Sequence, residues 1–236
     1  MKIIKVKNYR QLSKKACEVL IKEINKKQNL SVGFATGKTP LGFYRYLVKE
    51  YKKGKVNFSE VRAFNLDEYY PLKRTKLGSF YFYLFKNLFN KINIKKSNIK
   101  LLNGGAKNPE KECLAYEKKL RKAKIDVFVL GVGINGHIAF NEPWTSFNSK
   151  TRVVDLGEVT IKNNSSFFKG KVPKKALTIG ISTILKAKKI ILLANGFKKS
   201  IAIKHLIRDK PNINWPVTSL KKHKDFVIIV NKGILK

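Results

Sequence analysis

A histidine that directly follows a glycine-rich turn is the first place in this sequence where chemistry is suggested. Residues 131–143 read GVGINGHIAFNEP, with His137 after three glycines and Glu142 five residues later. The glycines allow the backbone to approach a ligand closely, and Pro143 resists continuation of a helix through Glu142. A carboxylate near a histidine can set the tautomer and pKa of an acid/base group. The alternative is a core histidine after a glycine turn.

An adjacent pair of carboxylates, Asp67 and Glu68, follows an apolar run at residues 61–66. The pair is conspicuous because the chain has only 15 acidic residues. A carboxylate at the end of a strand can act as a general base if its neighbours hold it over a substrate carbon. The alternative is that Asp67 caps a turn and Glu68 pairs with a lysine, and spacing by itself favours this second interpretation.

A third candidate is a short polar turn between a predicted strand and a predicted helix, formed by Thr36, Gly37, Lys38, Thr39 and Pro40. Backbone N–H groups at the start of a helix favour an anion, and the threonine hydroxyls add donors. The spacing is not GxxxxGK[ST], so the turn is not a nucleotide-binding P-loop. Alternatively, Thr39 caps the helix with Pro40 in its first turn, and the two interpretations are compatible.

The elements that must position these residues alternate between strands and helices, with no internal repeat or linker. This order predicts an α/β fold with an open, mostly parallel Rossmann-like sheet and helices on both faces, in a single domain spanning residues 1–236. Ligands bind beyond the C-terminal ends of such strands, where all three candidates lie. Apolar spacing predicts helices at residues 11–27, 41–51, 80–89, 111–122 and 198–207. Strands are predicted at residues 30–34, 61–66, 125–130, 176–179, 190–194 and 226–230.

The formal net charge of +36 raises the question of nucleic-acid binding. Most of the basic residues are lysines spread along the whole chain, whereas arginine is the residue that phosphate forks and base edges favour. We therefore expect a solvated lysine-rich surface, faster encounter with anionic substrates and no specific nucleic acid. A nucleic-acid-associated protein would instead stay on a polyanion at high salt and show no turnover.

Several features predict a cytoplasmic protein with no membrane segment. Lysines interrupt the apolar residues of the first ten positions, so they do not form a signal peptide. No apolar run approaches the roughly 18 residues of a membrane span. Cys17 and Cys113 are far apart and lack CxxC spacing, which indicates a reducing compartment without disulfides. No ligand spacing for a metal site is present.

Seven segments of the chain together resemble the glucosamine-6-phosphate deaminase (glucosamine-6-phosphate isomerase) family. They occur in the family's order across nearly the whole chain. The segment GHIAFNEP is the most specific, because related phosphogluconolactonases carry a different sequence after GH. The segments read FATGKTPLGFYRYL, FNLDEYYPL, SFYFYLFKNLF, IKLLNGGA, GVGINGHIAFNEP, VPKKALTIGISTIL and WPVTSLKKH.

The resemblance implies an enzyme, a hydrolase/isomerase that converts the sugar phosphate glucosamine 6-phosphate to fructose 6-phosphate and ammonia with neither a metal nor an organic cofactor. It implies that Asp67 is the base that moves a proton between C1 and C2. It also implies that His137 opens the sugar ring, with Glu142 as its polarising partner and Asn135 beside them. The substrate and its phosphate would be bound by Thr36, Gly37, Lys38, Thr39, Gly136 and Lys199.

The chain departs from the family pattern at two positions. Asn135 stands where the family often has aspartate, which keeps a hydrogen-bond acceptor but removes a charge near His137. Ser166 stands where the family commonly has an arginine for the phosphate. Loss of the paired hydrogen bonds that an arginine donates to a phosphate would cost about 1.5–3 kcal/mol, unless Lys162 or Lys169 replaces the arginine in part.

The chain also stops soon after its last predicted strand, without the C-terminal extension that forms an effector site in longer family members. We therefore expect a non-allosteric enzyme that is a monomer or a small homo-oligomer. Two alternatives stay open at this point. One is a related sugar-phosphate isomerase or lactonase, and the other is a catalytically inactive sugar-phosphate-binding homologue, which only Ser166 motivates.

Overall fold

The computed structural model describes residues 1–165, 168 and 171–235, with the backbone alone at Asn163. Helices begin where side chains cap them: Asn8, Ser79 and Asn108 each accept a hydrogen bond from the N–H three residues later. The α-helices are α1 (Tyr9–Lys26), α2 (Leu41–Lys52), α3 (Phe80–Asn87), α4 (Pro109–Ala123), α5 (Glu158–Asn164), α6 (Ile181–Ile184) and α7 (Ser200–Arg208). The strands are β1 (Lys2–Val6), β2 (Ser31–Phe34), β3 (Arg62–Asn65), β4 (Asp67–Tyr70), β5 (Ile99–Lys100), β6 (Val127–Gly131), β7 (Arg152–Asp155), β8 (Lys175–Thr178), β9 (Lys189–Ala194) and β10 (Phe226–Asn231).

Seven of these strands form one sheet in the order β1-β10-β9-β6-β2-β3-β5, and every neighbouring pair is parallel. Parallel pairs require crossover connections, which the helices supply. The predicted open, mostly parallel α/β sheet is confirmed. Strand β1, at one edge, was not predicted, because two exposed lysines interrupt its apolar residues and only Val6 is fully buried.

Two apolar cores cover the two faces of this sheet. Successive side chains of a strand point to opposite faces, so Val127 and Val129 of β6 join one core while Phe128 and Leu130 join the other. Helices α1 and α2 close the first core, and α4 and α7 close the second. Burial of each such side chain stabilises the fold by about 1.5–3 kcal/mol. The near-continuous apolar runs of the central strands follow from this double coverage.

A second, three-stranded sheet has the order β4-β8-β7 and is antiparallel throughout. It corrects the prediction for residues 176–179, since β8 lies in this small sheet and not in the main one. The chain leaves the main sheet after Asn65, whose side-chain amide donates to the carbonyl oxygen of Asp67 at 2.7 Å and accepts from the N–H of Leu102 at 2.9 Å. Asp67 then opens β4, opposite Thr178.

Cys17 and Cys113 are both buried as free thiols. Within residues 1–165, 168 and 171–235, no helix is long and apolar enough to cross a membrane. The same residues contain no group of three His, Cys, Asp or Glu side chains placed to hold a metal ion.

Candidate active site

The connections that follow β2, β3, β6 and β9 meet at the C-terminal edge of the large sheet and enclose a cavity of about 630 Å³. This is where an open parallel sheet binds ligands. Its lining includes seven of the side chains and glycines singled out from the sequence: Thr36, Gly37, Lys38, Thr39, Asp67, His137 and Lys199. Asn135, Gly136 and Glu142 lie outside this lining.

Several residues of the lining are groups that favour an anion. The Lys199 ammonium donates to the Thr39 hydroxyl, with 3.1 Å between Nζ and Oγ1. Thr39 therefore does not cap α2, whose N-cap is Pro40 and has no side-chain cap bond. Gly37 has φ +96°, the left-handed region that glycine adopts without strain. Burial lowers the pKa of Lys199 to about 8, so the site holds an ammonium that titrates close to neutral pH.

The lining also carries a buried carboxylate. Asp67 is 6% exposed and lines the cavity as the first residue of β4. Burial raises the pKa of Asp67 well above its usual range, and the neighbouring Glu68 carboxylate raises it further. Such a carboxylate is more basic than an exposed one, which suits the removal of a proton from carbon.

Glu68 is fully buried, and among the described residues it pairs with no lysine, which differs from the alternative drawn from the sequence. Its carboxylate accepts from three backbone N–H groups, those of Tyr69, Phe80 and Tyr81, at 2.8–3.0 Å. Burial raises the pKa of Glu68 to about 7, and these hydrogen bonds oppose the shift. Glu68 thus ties β4 to the N-terminus of α3, which fixes the position of its neighbour Asp67.

The tautomer of His137 follows from a chain of hydrogen bonds. The Glu142 carboxylate only accepts, so the Asn135 amide nitrogen, 2.7 Å from Oε2, must donate to it. The Asn135 oxygen then faces His137 Nδ1 at 2.8 Å, so Nδ1 carries the hydrogen. The free lone pair of the neutral ring therefore lies on Nε2. Burial lowers the pKa of His137, with Glu142 opposing the shift and Lys199 adding to it, so the neutral form prevails near pH 7.

Glu142 is the predicted partner of His137, but Asn135 lies between them. His137 Nδ1 and Glu142 Oε2 are 3.7 Å apart, too far for a hydrogen bond. The other oxygen of Glu142 accepts a short hydrogen bond from the Thr160 hydroxyl of α5. Thr160 also lines the cavity. Nothing in the sequence distinguishes this threonine, because its partner is 18 residues away on another element.

Two glycines of the motif have distinct structural roles. A Cβ atom at Gly133 would come within 2.3 Å of the His137 ring, so only glycine leaves room for the imidazole. Gly136 has φ +81°, and a Cβ there would lie 2.7 Å from the Trp215 ring. Gly136 was predicted to bind substrate, but the structure places it against Trp215, away from the cavity lining. It positions His137 through the backbone.

Other residues of the lining were not predicted from the sequence. Phe80, Ala139 and Phe140 supply an apolar wall, and Tyr9 and Asn164 contribute polar groups. Apolar residues in such positions look like ordinary core residues in a sequence, so no signal marks them.

Two positions at which the sequence raised questions about the phosphate, Ser166 and Lys169, lie outside the described residues. Lys162, the other proposed replacement for an arginine, is exposed on α5. It is absent from the cavity lining.

Comparison with known proteins gives three kinds of match. Residues 5–229 match the family described as glucosamine-6-phosphate isomerases/6-phosphogluconolactonase. The glucosamine-6-phosphate deaminase of Clostridium botulinum (strain Langeland, type F) is 49% identical over 98% of this chain and 96% of its own length. A monomeric glucosamine-6-phosphate deaminase of known structure superposes with a TM-score of 0.97 at 37% identity, over 99% of this chain and 98% of its own. A 6-phosphogluconolactonase from Trypanosoma cruzi has a TM-score of 0.80 at 23% identity over 99% and 95%, which shows a shared fold alone.

Proposed function

Because this chain belongs to the family of glucosamine-6-phosphate isomerases and 6-phosphogluconolactonases, we propose that it converts glucosamine 6-phosphate to fructose 6-phosphate and ammonia. The observation that carries the proposal is a cavity whose lining combines a cationic anion site, at Lys199 and Thr39, with a buried carboxylate, Asp67. The relatives named for this deaminase activity match nearly the whole chain. The net reaction consumes one water, so the deamination is hydrolytic.

The reaction begins with opening of the sugar ring, in which His137 transfers a proton. Its neutral Nε2 takes the proton from the C1 hydroxyl and returns it to the ring oxygen as the C1–O5 bond breaks, which leaves an aldehyde at C1. Asn135 and Glu142 hold the ring in the tautomer that this transfer needs. His137 ends the step neutral, ready for another turnover.

Asp67 performs the isomerisation. Its carboxylate removes the C2 proton, and the electron pair forms the C1=C2 double bond of an enolamine as a proton moves from the substrate ammonium to the C1 oxygen. Asp67 then returns its proton to C1, which leaves an iminium at C2. Water adds to C2 and ammonia leaves. The positive substrate nitrogen favours the ionised form of a carboxylate whose pKa burial has raised.

The defining test is release of ammonia and fructose 6-phosphate from glucosamine 6-phosphate by the purified chain. We expect equal amounts of the two products. In heavy water, C1 should carry deuterium to the extent that the proton on Asp67 exchanges with solvent before it is returned, and the original C2 hydrogen otherwise. 6-Phosphogluconolactone should not be hydrolysed. Turnover of the lactone without ammonia release from the amino sugar would contradict the proposal, and absence of both activities from the folded chain would indicate a binding protein.

We further propose that the enzyme acts as a monomer in the cytoplasm. One chain supplies both the anion site and the acid/base groups of the cavity, and a monomeric deaminase is among its structural neighbours. Its cysteines are free thiols, as in a reducing compartment. In the product assay, the rate per mole of chain should stay constant on dilution, and a rate that falls with dilution would indicate assembly.

The titration of Lys199 predicts how phosphate binding changes with pH. Burial lowers the pKa of Lys199 to about 8, so the ammonium is charged below that pH and neutral above it. The inhibition constant of inorganic phosphate should therefore rise about tenfold between pH 7 and pH 9.5. In Lys199→Arg the charge persists throughout, so the rise should disappear. A constant that is the same at both pH values in the wild type would remove Lys199 from the phosphate site.

A further inference from the structure

Tyrosine hydroxyl groups from different helices are hydrogen-bonded to backbone carbonyl oxygens of the loop at residues 35–39. Tyr83 of α3 donates to the carbonyl oxygen of Gly37 at 2.6 Å. Tyr44 of α2, which is fully buried, makes a short hydrogen bond to the carbonyl oxygen of Ala35. Each bond satisfies a carbonyl group in a loop that has no partner strand of its own.

A third tyrosine, Tyr9 at the start of α1, closes the other end of the same loop. Its hydroxyl lies 3.0 Å from the carbonyl oxygen of Thr39 and 3.2 Å from that of Lys38. The same hydroxyl accepts from the N–H of Gly42 in the first turn of α2, at 2.7 Å. Tyr9 therefore fixes the loop to the helix that follows it.

Because the peptide group is planar, hydrogen bonds to the carbonyl oxygens of the loop also fix the direction of the N–H groups that could bind an anion. The C=O of one residue and the N–H of the next point in opposite directions, so tyrosines that hold the carbonyls of Ala35 and Gly37 turn the N–H groups of Thr36 and Lys38 the other way. Within the described residues, the N–H of Thr36 donates to no protein group. Oriented N–H groups next to a glycine at positive φ form a concave anion site.

We propose that Tyr9, Tyr44 and Tyr83 are positioning residues that hold the loop at residues 35–39 in its anion-binding shape. They set the affinity for the phosphate of the substrate and leave the chemical steps at C1 and C2 unaffected. The inference rests on the proposed function, since it assigns the loop to the phosphate of glucosamine 6-phosphate. Tyr44 and Tyr83 lie outside the cavity lining and act through the loop alone, whereas Tyr9 both holds the loop and lines the cavity.

Tyr83→Phe is the main test, because phenylalanine keeps the half-buried ring and removes only the hydroxyl. A carbonyl group without its partner relaxes the loop, and the dissociation constant of inorganic phosphate should rise about 5- to 20-fold. KM should rise by a similar factor while kcat changes less than about twofold. Tyr9→Phe should have the same effect from the opposite end of the loop. The matched control is Tyr46→Phe on α2, whose hydroxyl contacts Arg10 and not the loop.

The measurements are calorimetric titration of inorganic phosphate and steady-state kinetics, with thermal unfolding to show that each variant is folded. Weaker phosphate binding at unchanged kcat in the Tyr83 and Tyr9 variants, but not in the Tyr46 variant, supports the inference. Wild-type phosphate affinity in both variants, or a loss confined to kcat, overturns it. The proposed function stands whenever the wild type turns over the substrate, whether the variants support or overturn the role of the tyrosines. If the wild type neither turns over nor binds phosphate, the proposed function itself has failed.

Discussion

Asp67→Asn should lower kcat by about 10²–10⁴-fold, the range over which general acid–base groups contribute, while KM stays within a few-fold of the wild type. Asparagine matches the carboxylate in size but cannot take a proton from C2. Lys199 and Thr39 are hydrogen-bonded to each other, and no hydrogen bond joins either of them to Asp67 within the described residues, so the change leaves their pairing in place. The product assay with glucosamine 6-phosphate measures both constants. Any product formed in heavy water should carry solvent deuterium at C1, because no carboxylate remains to return the C2 hydrogen.

The same variant should be at least as stable as the wild type. Burial and Glu68 raise the pKa of Asp67, so the ionised carboxylate is held at a cost to folding that a neutral amide avoids. That cost is present above the usual pKa of aspartate. Thermal unfolding at pH 7 therefore separates loss of chemistry from loss of structure. The control is Asp155→Asn, at an exposed position of the small sheet. A rate within tenfold of the wild type in Asp67→Asn would eliminate Asp67 as the base.

His137→Gln should lower kcat by about 10²-fold, near the lower end of the same range, because the sugar ring also opens without an enzyme. The amide nitrogen of glutamine is not basic, so it cannot transfer the proton between the C1 hydroxyl and the ring oxygen. The isomerisation by Asp67 remains intact, so added imidazole should restore part of the rate. The measurement is kcat with and without added imidazole, for His137→Gln and for Asp67→Asn.

Asp67→Asn should not respond to imidazole, since its lost step lies after ring opening. The comparison variant is His223→Gln, a histidine whose Nε2 contacts the carbonyl oxygen of Ala187 outside the cavity. It should keep wild-type kinetics. Equal kcat values for His137→Gln and the wild type would assign ring opening to another group.

The large sheet could be predicted from the sequence, but the small one could not. The central strands of the large sheet are buried on both faces, so residues 125–130 form a nearly continuous apolar run, which is typical of a strand in a parallel sheet. Strands β4 and β7 have four residues each and carry charged side chains. Their common partner, β8, pairs with β4 across more than 100 positions of the chain. Local patterns carry no information about such a pairing.

The candidate site, too, could be predicted only where local sequence patterns reveal it. His137 and Asp67 stand out because a glycine turn and an isolated acidic pair are uncommon in a lysine-rich chain. The link through Asn135 depends on side-chain directions, which spacing does not give, so Glu142 was expected in direct contact with His137. Tyr83 gave no signal at all, because an aromatic residue in an apolar helix predicts core packing whether or not its hydroxyl is used.

The division of the cavity between two sheets has an evolutionary consequence. The loop at residues 35–39, His137 and Lys199 follow strands of the large sheet, whereas Asp67 opens the small sheet and Thr160 lies on α5, the helix after β7. Substitutions in the small sheet can therefore alter the carboxylate proposed to act at C2 without moving the loop proposed to bind the phosphate. A lineage with this architecture can acquire a different reaction on a phosphorylated sugar while it retains recognition of the phosphate.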